Sequence, residues 1–226
     1  MTHLALERVR LRIDAAARRA GRDPVSVRLV AVTKGVDIDR IAAVIAGGVT
    51  DIGENRVQEA AQKFDRLPHE VTRHLIGHLQ TNKARRAAAL FDTVHSIDGQ
   101  RVAAALAQHL PADAASLALL IEVDLTGIPG RSGVREEDVE PLARAIVDVP
   151  GVRLLGLMTI APPGDSPEAS RPYFARLRAI RDRVHQSSNL ALPDLSMGMT
   201  DDFEVAIEEG ATLVRIGRAI FAKAPG

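Results

Sequence analysis

The sequence contains no cysteine among its 226 residues. This absence excludes disulfide bonds, thiolate metal ligands and cysteine nucleophiles. No apolar run reaches membrane-spanning length, so we expect no membrane partner. Basic and acidic residues both total 29, and the resulting net charge of zero offers nothing to attract nucleic acid. What remains is the composition of a globular domain with a hydrophobic core, which we expect in the cytoplasm.

The first twenty residues are rich in arginine, a feature that transit peptides share. The acidic residues Glu7 and Asp14 argue against a transit peptide. Apolar residues instead recur at helical spacing, at Leu4, Val9, Ile13 and Ala17. We therefore expect a first helix, over about residues 2–20, that packs on the rest of the domain.

Strand and helix patterns alternate along the remaining chain. Residues 29–33 form a continuous apolar run of buried-strand length, and a helix pattern with Asp37 as its cap follows and stops at Gly47. The same module recurs. It predicts strands at 29–33, 50–53, 73–77, 93–97, 118–124, 154–160, 195–198 and 213–217, and later helices at 55–66, 82–90, 100–109, 136–147, 170–185 and 202–209.

About eight βα units in one chain indicate parallel strands joined by right-handed crossovers. At this length we expect a closed (β/α)8 TIM barrel, forming a single domain over residues 1–226. An open doubly wound sheet is the alternative, because periodicity does not report closure.

Lysine is scarce, with only four among the 29 basic residues. Functional groups of a βα barrel lie at the carboxyl ends of its strands, and only Lys34 directly follows an apolar strand. Arginine neither forms an imine nor loses its proton near neutral pH, so a lysine here suggests that an amine is required. A lysine that merely extends into solvent fits the position equally well. Lys63, in mid-helix, and Lys223, in the tail, are expected to be solvated.

Two glycine-containing turns follow the last two predicted strands. LSMGMTDD (195–202) contains Ser196 and Gly198, and LVRIGRAIF (213–221) contains Gly217. The loops after strands seven and eight are the usual phosphate site of such a barrel, since backbone amides there point at an anion. These glycines predict a phosphate site, with ordinary turn glycines as the alternative.

Other polar residues follow strands two, three and five. Asn55 is either a pocket residue or a helix cap. His74 and His78 lack a nearby third ligand, so we expect a structural role instead of a metal site. Glu122 and Asp124 alternate on one strand, which predicts an interior position and a salt bridge to an arginine.

Five segments, in their order and spacing, resemble the pyridoxal phosphate homeostasis protein family. They are AVTKG, IGENRVQEA, HLIGHLQTNK, SMGMTDDFEVAI and RIGRAIF. This family comprises small relatives of the alanine racemase barrel that bind pyridoxal 5′-phosphate (PLP). The resemblance covers about residues 29–221. It implies the fold of the alanine racemase N-terminal domain, without the additional β-domain of the racemases.

The resemblance also implies the cofactor and its site. Lys34 is expected to hold PLP covalently as an imine, with two phosphate-binding turns and Arg215 facing the pyridine nitrogen. The implied cofactor-binding residues are Lys34, Asn55, His78, Ser196, Met197, Gly198, Arg215, Gly217 and Arg218. The sequence departs from the family at three places, where Thr200 replaces a serine, Arg218 a threonine and Arg131 a lysine.

An arginine at the pyridine nitrogen leaves that nitrogen neutral, which makes the ring a weaker electron sink. Barrel racemases add a tyrosine base from the β-domain, whereas the single tyrosine here, Tyr173, is predicted in a helix. The resemblance therefore implies a monomeric PLP carrier that supplies PLP-requiring apo-enzymes. A PLP-dependent amino-acid racemase or other Schiff-base enzyme is the alternative, and a barrel that binds another phosphate ester without an imine is a third possibility.

Overall fold

The computed structural model describes residues 2–111 and 116–222. Strands and helices alternate as the sequence predicts. The strands are β1 (Arg28–Val32), β2 (Asp51–Glu54), β3 (Thr72–Leu75), β4 (Thr93–Ile97), β5 (Leu117–Glu122), β6 (Val152–Met158), β7 (Asp194–Ser196) and β8 (Leu213–Ile216). The helices are α1 (Thr2–Arg19), α2 (Ile38–Ala46), α3 (Val57–Lys63), α4 (Ala84–Leu90), α5 (Gln100–Gln108), α6 (Val139–Val147), α7 (Arg171–Ser188), α8 (Phe203–Glu208) and α9 (Arg218–Phe221).

The eight strands form one closed parallel barrel in sequence order. Closure occurs between the first and last strands, where Val30 of β1 lies opposite Arg215 of β8. The closed barrel is therefore confirmed, and the open sheet is wrong. All eight carboxyl ends face one rim, called the mouth below, where the βα loops converge.

Helix α1 packs on the barrel against α8 and α9, as expected for the arginine-rich start. Its buried stripe contains Leu6, Val9 and Ile13, together with two alanines. Leu4 was predicted on this stripe, but 65% of it is exposed, because helical spacing places it on the face opposite Leu6 and Ile13.

Helix ends follow local signals in some places and not in others. The Asp37 side chain caps α2 by accepting a hydrogen bond from the Arg40 amide at 3.0 Å. Helix α3 begins after Arg56, which rules out Asn55 as its cap. The α-helix ends at Lys63 and continues as one 3-10 turn, so the predicted helix 55–66 is shorter at both ends.

None of the helices in residues 2–111 and 116–222 is long and apolar enough to cross a lipid bilayer. The tail lysine Lys223 lies outside these ranges.

Candidate cofactor site at the barrel mouth

A cavity of about 380 Å³ opens at the mouth between the ends of β2, β3 and β5. Asn55 and His78, both predicted site residues, line it together with Glu122 and Arg131. The His78 ring is about half exposed, and its Nδ1 lies 3.3 Å from a carboxylate oxygen of Asp98. The structure thus brings two residues that follow different strands into one pocket.

Glu122 ends β5 with a buried carboxylate in the wall of this cavity. Its Oε2 atom has no hydrogen-bond partner among the described residues, and no ion pair to an arginine forms there. The predicted salt bridge is therefore wrong. Burial raises the pKa of Glu122 to about 7, against the opposing influence of the Arg215 charge. The carboxyl thus titrates near neutral pH and faces a space that a ligand can enter.

Lys34 lies two residues beyond the end of β1, and its side chain is exposed. The backbone turns here, since the Val36 amide donates to the Thr33 carbonyl at 3.0 Å and Gly35 adopts a φ of 67°. The Gly35 amide also donates to Glu59 Oε1 at 2.6 Å, which ties the turn to α3. A turn held by these two hydrogen bonds therefore carries an exposed lysine side chain.

Lys63 has the opposite environment, and the prediction of a solvated side chain is wrong. The last turn of α3 packs against the ends of β1 and β2, so Lys63 points inward and only 9% of it is exposed. Its Nζ donates to the Thr33 carbonyl at 2.7 Å, to Glu54 Oε1 at 2.7 Å and to Glu59 Oε1 at 2.6 Å. All three ammonium hydrogens are in use, which makes Lys63 a structural cation.

The turns after β7 and β8 converge beside the end of β1. The Arg215 amide donates to the Gly198 carbonyl at 3.0 Å, which joins the turn after β7 to strand β8. Gly198 has a φ of 89°, and a Cβ there would lie 2.5 Å from the Ala206 Cβ, so only glycine fits. A Cβ on Gly217 would lie 3.2 Å from the Val32 carbonyl oxygen. The neighbouring Met197 is fully buried.

The Arg218 side chain is exposed and forms an ion pair with Asp201 across the two turns. A second link joins the same turns, from the Ala219 amide to the Thr200 hydroxyl at 3.4 Å. Thr200 keeps the hydroxyl of the serine that is usual in the family, and this hydroxyl accepts a hydrogen bond here. The Arg218 charge is held at the surface by a carboxylate.

Arg215 is a buried cation in the barrel interior. Its Nη1 donates to Ser196 Oγ at 2.6 Å, and its Nη2 donates to the Thr159 carbonyl at 3.0 Å. Burial lowers the pKa of Arg215 to about 10, which still leaves the guanidinium charged at neutral pH. The Ser196 hydroxyl also contacts His95 Nδ1 at 2.8 Å. It therefore belongs to the interior network here, and its role at a phosphate stays a prediction.

Sequence reasoning missed the polar interior behind Arg215. His95 contacts His74 at 2.8 Å, and His74 contacts the Asp51 carboxylate at 2.9 Å. The structural role predicted for His74 is thus this buried network. A polar residue inside an otherwise apolar strand was the only available signal, and it did not identify the partners.

The closed barrel and the polar cavity at its mouth define a (β/α)8 barrel protein with a binding site at the carboxyl ends of its strands. Residues 4–225 match the family model described as the alanine racemase N-terminal domain. A pyridoxal phosphate homeostasis protein from Aquifex aeolicus is 41% identical over 219 residues, with 96% of each chain covered. The corresponding protein from Escherichia coli K12 is 38% identical over 220 residues, covering 96% of this chain and 94% of the relative. The chain belongs to the pyridoxal phosphate homeostasis protein family.

A solved relative has the same fold. PipY of Synechococcus elongatus, in a structure with PLP bound, is 34% identical with a TM-score of 0.85. The match covers 98% of this chain and 100% of PipY. The barrel therefore extends through the whole matched length, and PipY is a solved relative that holds PLP.

Proposed function

We propose that this chain binds PLP at the barrel mouth and acts in PLP homeostasis, as a reversible carrier and buffer of the cofactor. Lys34 would hold the cofactor as an imine, and the turns after β7 and β8 would hold its phosphate. The proposal agrees with the names of the Aquifex and Escherichia relatives and with the PLP-bound structure of PipY.

The observation that carries the proposal is the contrast between two lysines at the end of β1. Lys34 is exposed at the mouth, whereas Lys63 gives its three ammonium hydrogens to acceptors in the wall. An imine requires an amine that can attack an aldehyde. The Lys34 side chain is exposed, whereas Lys63 would first have to abandon a buried carboxylate.

The other side chains fit the chemistry of PLP. The cofactor supplies an aldehyde that condenses reversibly with an amine, on a pyridine ring that carries a phosphate. We propose that backbone amides of the turns containing Gly198 and Gly217 hold the phosphate, and Arg215 is a donor suited to an unprotonated ring nitrogen. Asn55 and His78 line the cavity where we propose that the ring lies, with Met197 and Ser196 behind the turn and the Arg218 backbone at the phosphate.

Absorption spectroscopy tests the proposal. PLP added to the purified chain should produce an imine band that borohydride removes and fixes covalently. K34R keeps the positive charge but forms no imine, so it should lack the band, whereas K83R should retain it. An unchanged band in K34R would refute Lys34 as the attachment site. Phosphate-dependent binding without any band would favour the phosphate-ester alternative.

The racemase alternative would need a substitute for the tyrosine base of the barrel racemases, because the one tyrosine of this sequence does not lie at the mouth. Tyr173 lies in α7, half-buried against the outside of the barrel. We therefore propose that Lys34 holds PLP and performs little chemistry with it. Loss of optical rotation of alanine or serine at a useful rate, abolished in K34A, would overturn this view.

We also propose that the chain is a cytoplasmic monomer that hands PLP to apo-enzymes. Size-exclusion chromatography with light scattering should give the mass of one chain. Mixing the loaded chain with a PLP-requiring apo-enzyme should restore that enzyme's activity faster than loaded protein with borohydride-fixed cofactor does.

A further inference from the structure

Four hydrogen bonds connect Arg215 of β8 to Asp51 of β2 through the barrel interior. They run from Arg215 Nη1 to Ser196 Oγ at 2.6 Å, from Ser196 Oγ to His95 Nδ1 at 2.8 Å, from His95 Nε2 to His74 Nδ1 at 2.8 Å, and from His74 Nε2 to Asp51 Oδ1 at 2.9 Å. All five residues are buried, and they belong to five different strands. We call this set the interior chain.

The two ends of the interior chain have fixed roles. Arg215 carries only donors, because a guanidinium has no acceptor. At the other end, burial acts to raise the pKa of Asp51, but hydrogen bonds from His74 and Thr50 outweigh it and bring the pKa below its ordinary value. Asp51 is therefore an ionised carboxylate that only accepts. A donor at one end and an acceptor at the other constrain every link between them.

The histidines can satisfy all four bonds in one arrangement without charge. His74 Nε2–H donates to Asp51, so a neutral His74 accepts at Nδ1 from His95 Nε2–H. A neutral His95 then accepts at Nδ1 from the Ser196 hydroxyl. Full burial lowers the pKa of His95 well below its ordinary value, so the uncharged form is favoured.

A protonated His74 would reverse two of the links. His74 would donate to His95, and His95 would then donate to Ser196 Oγ, which already accepts from Arg215. The Ser196 hydroxyl proton would be left without an acceptor among the described residues, at a fully buried site. An unpaired buried hydroxyl is costly, so the reversed arrangement is unfavourable.

We propose that Asp51 is a positioning residue for Arg215. The interior chain runs in one direction, from Arg215 through Ser196, His95 and His74 to Asp51, with both histidines uncharged and protonated at Nε2. It holds the guanidinium in one orientation from behind, and leaves it ready to donate towards a ring nitrogen at the mouth. Donation to the ring nitrogen rests on the proposed function, whereas the direction of the hydrogen bonds in the interior chain does not.

Nitrogen-15 NMR of the histidine side chains, on the full chain without PLP, tests the direction. At neutral pH both His74 and His95 should show a protonated Nε2 and an unprotonated Nδ1. An Nδ1–H form or an imidazolium at either residue would overturn the proposal. This measurement needs only variants for signal assignment, so it does not depend on the folding of any altered Asp51.

Three variants test positioning. D51A removes the acceptor and should give mixed tautomers at His95, which is linked to Asp51 through His74. We also expect PLP affinity to fall about tenfold, the effect of losing one hydrogen bond to a charged group. D51N keeps an acceptor oxygen and should preserve the His95 tautomer and most of the affinity. D194N is the matched control, because Asp194 is buried at the same end of the barrel but pairs with Arg28 and Thr212.

The outcomes separate this inference from the proposed function. If the unmodified chain forms no imine with PLP, the proposed function fails while the tautomers remain as predicted. If PLP binds but D51A matches D194N in both His95 tautomer and affinity, the positioning role of Asp51 fails. An equal loss in D51N and D51A would likewise contradict it, because the acceptor would then not be what matters.

Discussion

Glu54 and Glu122 end β2 and β5 at the same rim of the barrel, and their surroundings differ. Both are buried, and both leave Oε2 without a partner among the described residues. At Glu54, however, Oε1 accepts from the Lys63 ammonium and from the Thr33 hydroxyl, each at 2.7 Å. The Glu122 carboxylate receives no such donor and borders the mouth cavity. At Glu54 the protein supplies the hydrogen-bond donors for the carboxylate. At Glu122 a molecule in the cavity would have to supply them.

The carboxylate of Glu54 is part of the structural wall, whereas the carboxylate of Glu122 faces the cavity that a ligand can enter. Burial raises the pKa of Glu54 as well, but hydrogen bonds from the Lys63 ammonium and the Thr33 hydroxyl oppose this rise. Glu122 has no such donor, so its carboxyl takes up a proton more readily and responds to pH and to a ligand. The Glu54–Lys63 pair lies next to the Lys34 turn, because Lys63 also donates to the Thr33 carbonyl. This contact holds the backbone of the turn although the Lys34 side chain is exposed.

The largest effect should come from breaking the Glu54–Lys63 pair. K63M removes the cation and leaves Glu54 with one hydroxyl donor, so we expect the free energy of unfolding to fall by about 4 kcal/mol. Urea unfolding followed by circular dichroism measures this. K83M should be nearly neutral, because Lys83 is only partly buried, at the end of the 3-10 turn Thr81–Lys83. The double variant E54Q/K63M should regain much of the loss, and equal losses in K63M and K83M would refute the structural role.

Replacing Glu122 should change the free energy of unfolding by a smaller amount and in the opposite direction. The Glu122 pKa of about 7 lies above its ordinary 4.5, so the folded chain binds the proton more tightly than the unfolded chain. Stability attributable to this group is therefore present at low pH and is lost as pH rises through about 7. E122Q should be more stable than the unmodified chain by about 3 kcal/mol at pH 8 and indistinguishable at pH 4.

Urea unfolding at these two pH values, on protein without PLP, checks the difference. A constant offset between E122Q and the unmodified chain at both pH values would contradict a titrating Glu122. It would also remove the distinction between the two glutamates.

The smallest change concerns Glu59, the half-buried partner of Lys63 and of the Gly35 amide. Burial acts to raise the pKa of Glu59, but the bonds from Lys63 and Gly35 outweigh it and the pKa is lowered. Its contribution is thus present at neutral pH and is lost on acidification. E59Q should cost about 1 kcal/mol at pH 7, since Lys63 keeps Glu54. A loss as large as that of K63M would show that Glu59 is the main partner.

The sequence predicted the barrel because apolar strand runs and helix patterns are local. The strand over 93–97 is reproduced to the residue, and the Asp37 cap lies where its side chain can reach the α2 amides. Lys63 was misjudged because its neighbours in α3 do not reveal that the last turn faces β1 and β2. That orientation depends on how the helix packs, which is a tertiary property.

The site shows the same limit. Strand-end position predicts that Lys34, Asn55 and His78 lie at one rim, because all carboxyl ends share it, and their role at PLP stays a prediction. The bond between His95 and Ser196 joins residues 101 positions apart, and no local pattern encodes it. The unpaired state of Glu122 likewise depends on which arginines fold towards it, and none does within hydrogen-bonding distance.

We propose that Lys34 is the amine that holds PLP. Borohydride reduction of the PLP-loaded chain, followed by peptide mapping, tests this attachment. We expect the pyridoxyl label on Lys34 and no label on Lys63. A label mainly on Lys63 or Lys83, or no stable label at saturating PLP, would contradict it.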